Sequence, residues 1–132
     1  MLSLSMIVRD EEARLGECLR SVQGFADEMV VVDTGSTDAT VAIAEAAGAR
    51  VEQIPWPGDF APARNQALEF LKGDWVLVLD ADEQLRPEAI PALKALMAQP
   101  DVLVINLLRY EVGAAMAPYS SVSRLFRRHP SI

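Results

Sequence analysis

Trp75-Val-Leu-Val-Leu-Asp80-Ala-Asp82-Glu83 is the stretch whose reading decides the fold. Trp75 to Leu79 are apolar without polar alternation, the pattern of a strand buried on both faces of a parallel sheet. The run then stops at acids. In open α/β sheets ligands bind in the crevice outside the carboxyl ends of the strands, which makes Asp80 and Asp82 candidate site residues. If the chain stays extended there, the period of two points both carboxylates one way and Ala81 the other. Two carboxylates about 5 Å apart repel by about 3 kcal/mol at an effective dielectric of about 20, and a bound cation would remove that cost. A solvated acidic turn ahead of a helix fits the same residues, so the surrounding sequence has to decide.

Composition narrows the classes. A chain of 132 residues with 51% hydrophobic content is long enough for one domain with a sizeable core and too apolar for disorder. Its formal net charge of −7 argues against nucleic acid as a partner, because phosphate backbones are held by clustered Lys and Arg. Cys18 is the single cysteine, so no intrachain disulfide forms and a reducing, cytoplasmic location is expected. Met1 to Val8 is apolar but runs into Arg9-Asp-Glu-Glu12, without the basic start or small-residue cleavage site of a signal peptide. No run approaches the roughly 18 apolar residues of a membrane span.

Outward from the central stretch, strands alternate with helices. Leu2 to Val8 reads as the first strand, and Asp10-Glu-Glu12 opens a helix whose apolar face is Ala13, Leu15, Leu19 and Val22, ended by Gly24. Glu28 to Val32 is a β-branched second strand stopped by Asp33-Thr-Gly-Ser-Thr-Asp38, where Ser36, Thr37 or Asp38 can cap a helix over 39–47. Ala49 to Ile54 is a third strand, Pro55-Trp-Pro-Gly58 a turn with Trp56 as a packing anchor, and Pro62 fits the first turn of a helix that Gly73 ends. Pro87 starts a helix to about Ala98, Val102 to Leu108 is a fifth strand, and Tyr119 to Arg128 alternates weakly as a further one. This order implies right-handed crossovers and a mostly parallel, Rossmann-like sheet flanked by helices. Asp10, Asp33 and the Asp80–Asp82 pair each follow a strand, so three loops bring acids to one rim, which favours a ligand over a solvated turn. A glycine-rich phosphate loop is absent after the first strand, so a phosphate-bearing ligand needs a metal between it and the acids.

Ser5-Met-Ile-Val-Arg-Asp-Glu-Glu12, Val31-Val-Asp-Thr-Gly-Ser-Thr-Asp38, Ala63-Arg-Asn-Gln-Ala67 and Leu79-Asp-Ala-Asp-Glu83 stand in the order and approximate spacing of glycosyltransferase family 2. Over nearly the whole chain the sequence resembles that family, in the branch that includes lipopolysaccharide-core glucosyltransferases. The resemblance implies a GT-A fold, a nucleotide-sugar donor such as a UDP-sugar, a divalent metal (Mn²⁺ or Mg²⁺) and inversion at the anomeric carbon. By position, Asp33 would bond the base with backbone near Val8 flanking it, Asp80 would approach the ribose, Asp82 the metal, and Arg64 would help hold the donor. An arginine after Leu125-Phe126 would lie close to the donor site. The implied acceptor is a cell-envelope glycan or lipid-linked saccharide, which would set the protein in the cytoplasm or peripherally at the inner face of the membrane.

Structural readings stand beside these: Asp33 as a turn cap, Arg64 as a solvated helix residue, Glu11 and Glu12 as cap and dipole residues. Asp10 replaces an asparagine common at its position in the family. The family's catalytic base is a downstream acid, whereas this chain ends at Ile132, and Glu88 and Glu111 have no motif context. Residues 1–132 thus read as one donor-binding domain truncated at its C-terminal end, with no assigned catalytic residue, little transfer activity alone, and an apolar flank that favours self-association. Two rivals remain at this point. A haloacid-dehalogenase-type phosphatase would use Asp80 and Asp82, though its motif normally has Thr or Val where Gln84 stands and follows the first strand. The other is a non-catalytic nucleotide-binding module.

Overall fold

Described over residues 1–108 and 122–128, the computed structural model places all the expected strands in one sheet. Its strands are β1 (Leu2–Val8), β2 (Glu28–Asp33), β3 (Arg50–Gln53), β4 (Trp75–Val78), β5 (Val104–Leu108) and β6 (Val122–Arg127). They lie in the order β3-β2-β1-β4-β6-β5. The first four are parallel, whereas β6 inserts antiparallel between β4 and β5, so the sheet is mixed at that edge. The helices are α1 (Leu15–Val22), α2 (Thr40–Ala46), α3 (Phe60–Leu68) and α4 (Ile90–Met97), the last preceded by a 3₁₀ turn, Pro87–Ala89.

The two faces of β1 explain the layering. Leu2, Leu4, Met6 and Val8 point to one side, where they join Leu15, Cys18, Leu19 and Val22 of α1 and Leu93 of α4 in the larger core. Ala67 and Leu71 meet Val30, Val32 and Val76 on the other side. The switch of face follows from handedness. From β1 to β3 the chain walks one way along the sheet, but β3 to β4 returns past β1, and a right-handed crossover then has to cover the opposite face. Trp75, Val76 and Leu77 are all buried, as the unbroken apolar run predicted.

At the end of the sheet where β4 begins, Ser3 is buried and its hydroxyl links Glu28 to the chain before β4, donating to the Glu28 carboxylate and accepting from the Gly73 N–H at 2.8 Å. The Lys72 N–H also donates to Glu28, at 2.7 Å. Burial pushes the Glu28 carboxyl up, but the bonds from Ser3 and Lys72 prevail and hold it below its ordinary value.

Three local expectations change. The helix expected to open at Asp10–Glu12 begins at Leu15, because the main-chain N–H groups of Asp10, Glu11 and Glu12 are bonded instead to Ser36, Thr40 and Asp38 across the β2–α2 loop. Ala13 is accordingly exposed, and Cys18 takes its place in the buried stripe. The central strand ends at Val78, one residue before the expected Leu79. Only Val122–Arg127 of the tail is described as strand, and Glu111 lies outside the described residues.

Candidate nucleotide-binding cleft

The strand order changes direction at β1: α1 and α2, which lead away from it to β2 and β3, cover one face, α3, which leads back past it to β4, covers the other, and a crevice opens there at the carboxyl ends. Parallel pairing sets Val8 level with Asp33 on one side and Ser5 level with Val78 on the other. A cleft of ≈ 450 Å³ lies over these ends, lined by Ile7, Val8, Arg9, Glu11, Arg14, Thr34, Trp56, Asp80, Ala81 and Asp82. Val8, Asp80 and Asp82 thus come together as expected. Asp33 and Arg64 do not line it.

The acids do not continue the strand. Residues 80–83 form a tight turn in which the Glu83 N–H donates to the Asp80 carbonyl at 3.0 Å, while the Asp80 N–H donates to the Glu83 carboxylate at 2.7 Å. The extended arrangement expected for Asp80 and Asp82 is therefore replaced by a turn, because Glu83 caps the strand end locally. Ala81 stays buried beneath it, with Asp80 and Asp82 on the exposed side. Behind the turn the Cys18 thiol approaches the Asp80 carbonyl at 3.6 Å, and its pKa is pushed up to about 12 by burial first and then by the charges of Glu83, Asp82 and Asp80. A thiol so shifted is inert as a nucleophile and ligand.

Asp33 is 1% exposed. Its carboxylate accepts the N–H groups of Gly35 and Ser36 at 3.2 and 3.1 Å and the Ser36 hydroxyl, so both oxygens hold their own loop. Gly35, at φ 117°, supplies the left-handed step this turn requires. Next to it, Thr34 reaches the cleft, and its N–H and hydroxyl both donate to the Val8 carbonyl, at 3.1 and 3.2 Å. The Val8 carbonyl is therefore engaged from the β2 side.

The loop after β1 is laced to the loop after β2. Asp10 sits at φ 53° with its carboxylate accepting the Thr37 N–H at 2.8 Å, and Glu12 accepts the Ala39 N–H at 3.0 Å. Short polar side chains tolerate the left-handed region best, which gives a physical reason for Asn or Asp at that position. Glu12 therefore does not cap its own helix, the role expected from the sequence, but ties down the chain ahead of α2. Asp38 accepts both the N–H and the hydroxyl of Thr40, and the hydroxyl bond foremost holds its carboxyl below the usual range.

Two cleft residues carried no motif signal. Arg14 donates to the Glu11 carboxylate at 2.7 and 3.1 Å, and its other guanidinium nitrogen lies 3.9 Å from Asp82 Oδ2, so it bridges the loops after β1 and β4. No periodicity distinguishes it from any helix-start arginine. Trp56, expected as a packing anchor, instead leaves 39% of its surface exposed at the cleft. Its place between two prolines was the available signal.

Arg127 corrects another expectation. It is paired with Trp75 at the start of β4, stacks 4.7 Å over that indole, and donates to the carbonyls of Val102, Met97 and Gln99. The arginine after Leu125-Phe126 is thus at the end of the sheet opposite the cleft, because β6 runs antiparallel to β4.

Among the described residues no group of three or more His, Cys, Asp or Glu side chains is arranged to hold a metal. Asp80 and Asp82 offer hard oxygen donors, and Mg²⁺-like ions take one or two carboxylates and complete their shell with water and substrate phosphate. The donor set therefore fits a divalent ion shared with a diphosphate, and unaided would hold one only weakly.

Residues 3–131 match the family described as Glycosyl transferase family 2. A TPR repeat-containing protein of Synechococcus elongatus is 51% identical over 131 residues, covering 99% of this chain and 32% of its own length. A lipopolysaccharide core biosynthesis glycosyltransferase of Rhizobium meliloti is 39% identical over 108 residues, covering 78% of this chain and 39% of its own. Among solved structures, glucosyl-3-phosphoglycerate synthase from Mycobacterium tuberculosis, in complex with Mn²⁺ and uridine-diphosphate-glucose, is similar at a TM-score of 0.70 and 26% identity, over 86% of this chain and 44% of that one. The chain spans about a third to a half of the length of the curated relatives it matches.

Proposed function

The chain belongs to glycosyl transferase family 2 and has its GT-A fold, and on that premise we propose that it binds a nucleotide-diphospho-sugar, in the first instance a UDP-sugar, through a divalent cation for inverting transfer. The family match sets aside the phosphatase rival. The observation that carries the reading is the Asp80–Glu83 turn opening at the switch point of the sheet into a cleft that also holds Arg9 and Arg14.

Each residue takes a role from its place. Asp82, with Asp80 beside it, would hold a Mn²⁺ or Mg²⁺ ion against the diphosphate; when bound, such an ion neutralises the charge that builds on the leaving nucleotide. Asp80 lies in the same turn, suited to the ribose. Val8 and Thr34 form the floor between the two ends, and Asp33 contributes to base recognition by holding the loop that presents Thr34. Arg9 and Arg14 supply positive charge at the cleft that complements phosphate. Arg64 is assigned to donor binding on its Ala63-Arg-Asn-Gln-Ala67 context alone; α3 packs on β1. The acceptor is proposed to be a cell-envelope glycan or lipid-linked saccharide, on the likeness to the Rhizobium relative. The reaction is proposed to occur in the cytoplasm or peripherally at the inner face of the membrane. No helix among the described residues is long and apolar enough to cross one.

Thermal unfolding with nucleoside diphosphates tests the proposal. A ligand at about 100 times its dissociation constant adds about 2.7 kcal/mol of stability. UDP with Mn²⁺ should raise the melting temperature more than either alone. No shift with any nucleoside diphosphate and metal would refute the donor site.

A further inference from the structure

We propose that Trp56 is the stacking wall for the donor's nucleobase, an inference that rests on the donor-site reading above. The two tryptophans of the chain differ sharply: Trp75 is 4% exposed under Arg127, while Trp56 keeps 39% of its surface exposed at the cleft. A large apolar ring left at a cleft wall gains free energy when a flat partner covers it.

The backbone holds that ring ready. Pro57 restricts Trp56 to extended conformations, and Pro55 fixes its own φ one residue earlier. The Ile54 N–H donates to the Asp33 carbonyl at 3.0 Å, so the chain stays tied to β2 until two residues before Trp56. Little backbone entropy remains to be lost on binding.

Position separates a base from a sugar. Trp56 follows β3 and the acids follow β4, with β2 and β1 between them. Three inter-strand spacings of about 4.8 Å make about 14 Å, the scale of a nucleotide rather than of one sugar ring. Trp56, Thr34, Ile7 and Val8 form an uncharged part, whereas Arg9, Glu11 and Arg14 between β1 and α1 and Asp80 and Asp82 after β4 carry the charge. A nucleoside diphosphate carries an uncharged flat ring at one end and its charge at the other. It fits in one orientation, with the base on the indole.

The test uses the purified chain, UDP and Mn²⁺, with tryptophan emission and calorimetry read together. UDP should quench wild-type emission, and the quench should vanish in Trp56→Phe while affinity stays within about threefold, since a phenyl ring still stacks. Trp56→Ala, checked for an unchanged far-ultraviolet spectrum, should bind UDP at least about fivefold more weakly, the lower end of base stacking on an aromatic. Wild-type binding that persists unchanged in Trp56→Ala overturns this inference alone. So does an alanine variant that weakens UDP-glucose but not UDP, which would place the sugar on the indole. Failure of the wild type to bind any nucleoside diphosphate overturns the donor site and this inference with it.

Discussion

Replacing Arg14 by glutamine should tighten the binding of Mn²⁺ alone. The Arg14 guanidinium lies 3.9 Å from Asp82 Oδ2, with its other edge on Glu11. A cation arriving at Asp82 meets that positive charge. Two unit charges about 4 Å apart in water interact by about 1 kcal/mol, so a divalent ion is opposed by about 2 kcal/mol at most. The side chain is more than half exposed and can swing away, and screening at physiological ionic strength weakens the term further. About half should survive, which is an approximately fivefold gain in affinity. Titration of free Mn²⁺ by electron paramagnetic resonance measures it directly, with Asp82→Asn as the control that loses the ion. Raising the salt to about 0.5 M should shrink the difference between Arg14→Gln and wild type. An Arg14→Gln protein that binds Mn²⁺ equally or more weakly would refute the competition, and with it the placing of the ion at Asp82.

Asp82→Asn should abolish metal-linked UDP binding without loss of stability, whereas Asp33→Asn should lower stability by about 1.5 to 3 kcal/mol, because an amide nitrogen would face the N–H groups of Gly35 or Ser36; urea unfolding beside calorimetry separates them, and equal losses in both variants would contradict these roles. Gly73→Ala should destabilise by about 2 to 3 kcal/mol, since its Cβ would stand 2.8 Å from the Met1 carbonyl and 2.9 Å from the Ser3 nitrogen, atoms of main chain that cannot yield. A urea midpoint shift worth less than about 0.5 kcal/mol would show that the turn relaxes. The Glu28 carboxyl is held below its ordinary value of 4.5, so its contribution is present above that pH and is lost as pH falls through the lowered value. Stability of Glu28→Gln should therefore decline less steeply than wild type on acidification below about pH 4.5. Parallel declines would discount the Ser3 and Lys72 bonds.

Residue order alone carried the alternation of strands and helices, the burial of Trp75–Leu77, and the rim on which Asp80 and Asp82 stand. These are legible because they depend on local periodicity: an apolar run too short for a helix has to be a doubly buried strand, and its acids have to sit where it leaves the sheet. Four motifs in register also identified the family, since their spacing encodes loops of fixed length between strands.

Tertiary structure decided the rest. That Glu83 folds the acids into a turn, that Asp10 and Glu12 cap the following loop, and that Asp33 spends both oxygens on Gly35 and Ser36 follow from which donors lie nearby once β1 and β2 pair. The side chains of Arg14 and Trp56 entered the cleft for the same reason: each is carried there by a strand end far from β4 in sequence. Arg127 left it because β6 runs antiparallel, and strand direction is set by pairing across the sheet, on which a weakly alternating segment is silent. Periodicity assigns a residue to a face or an end; only packing between segments distant in the chain chooses its partner.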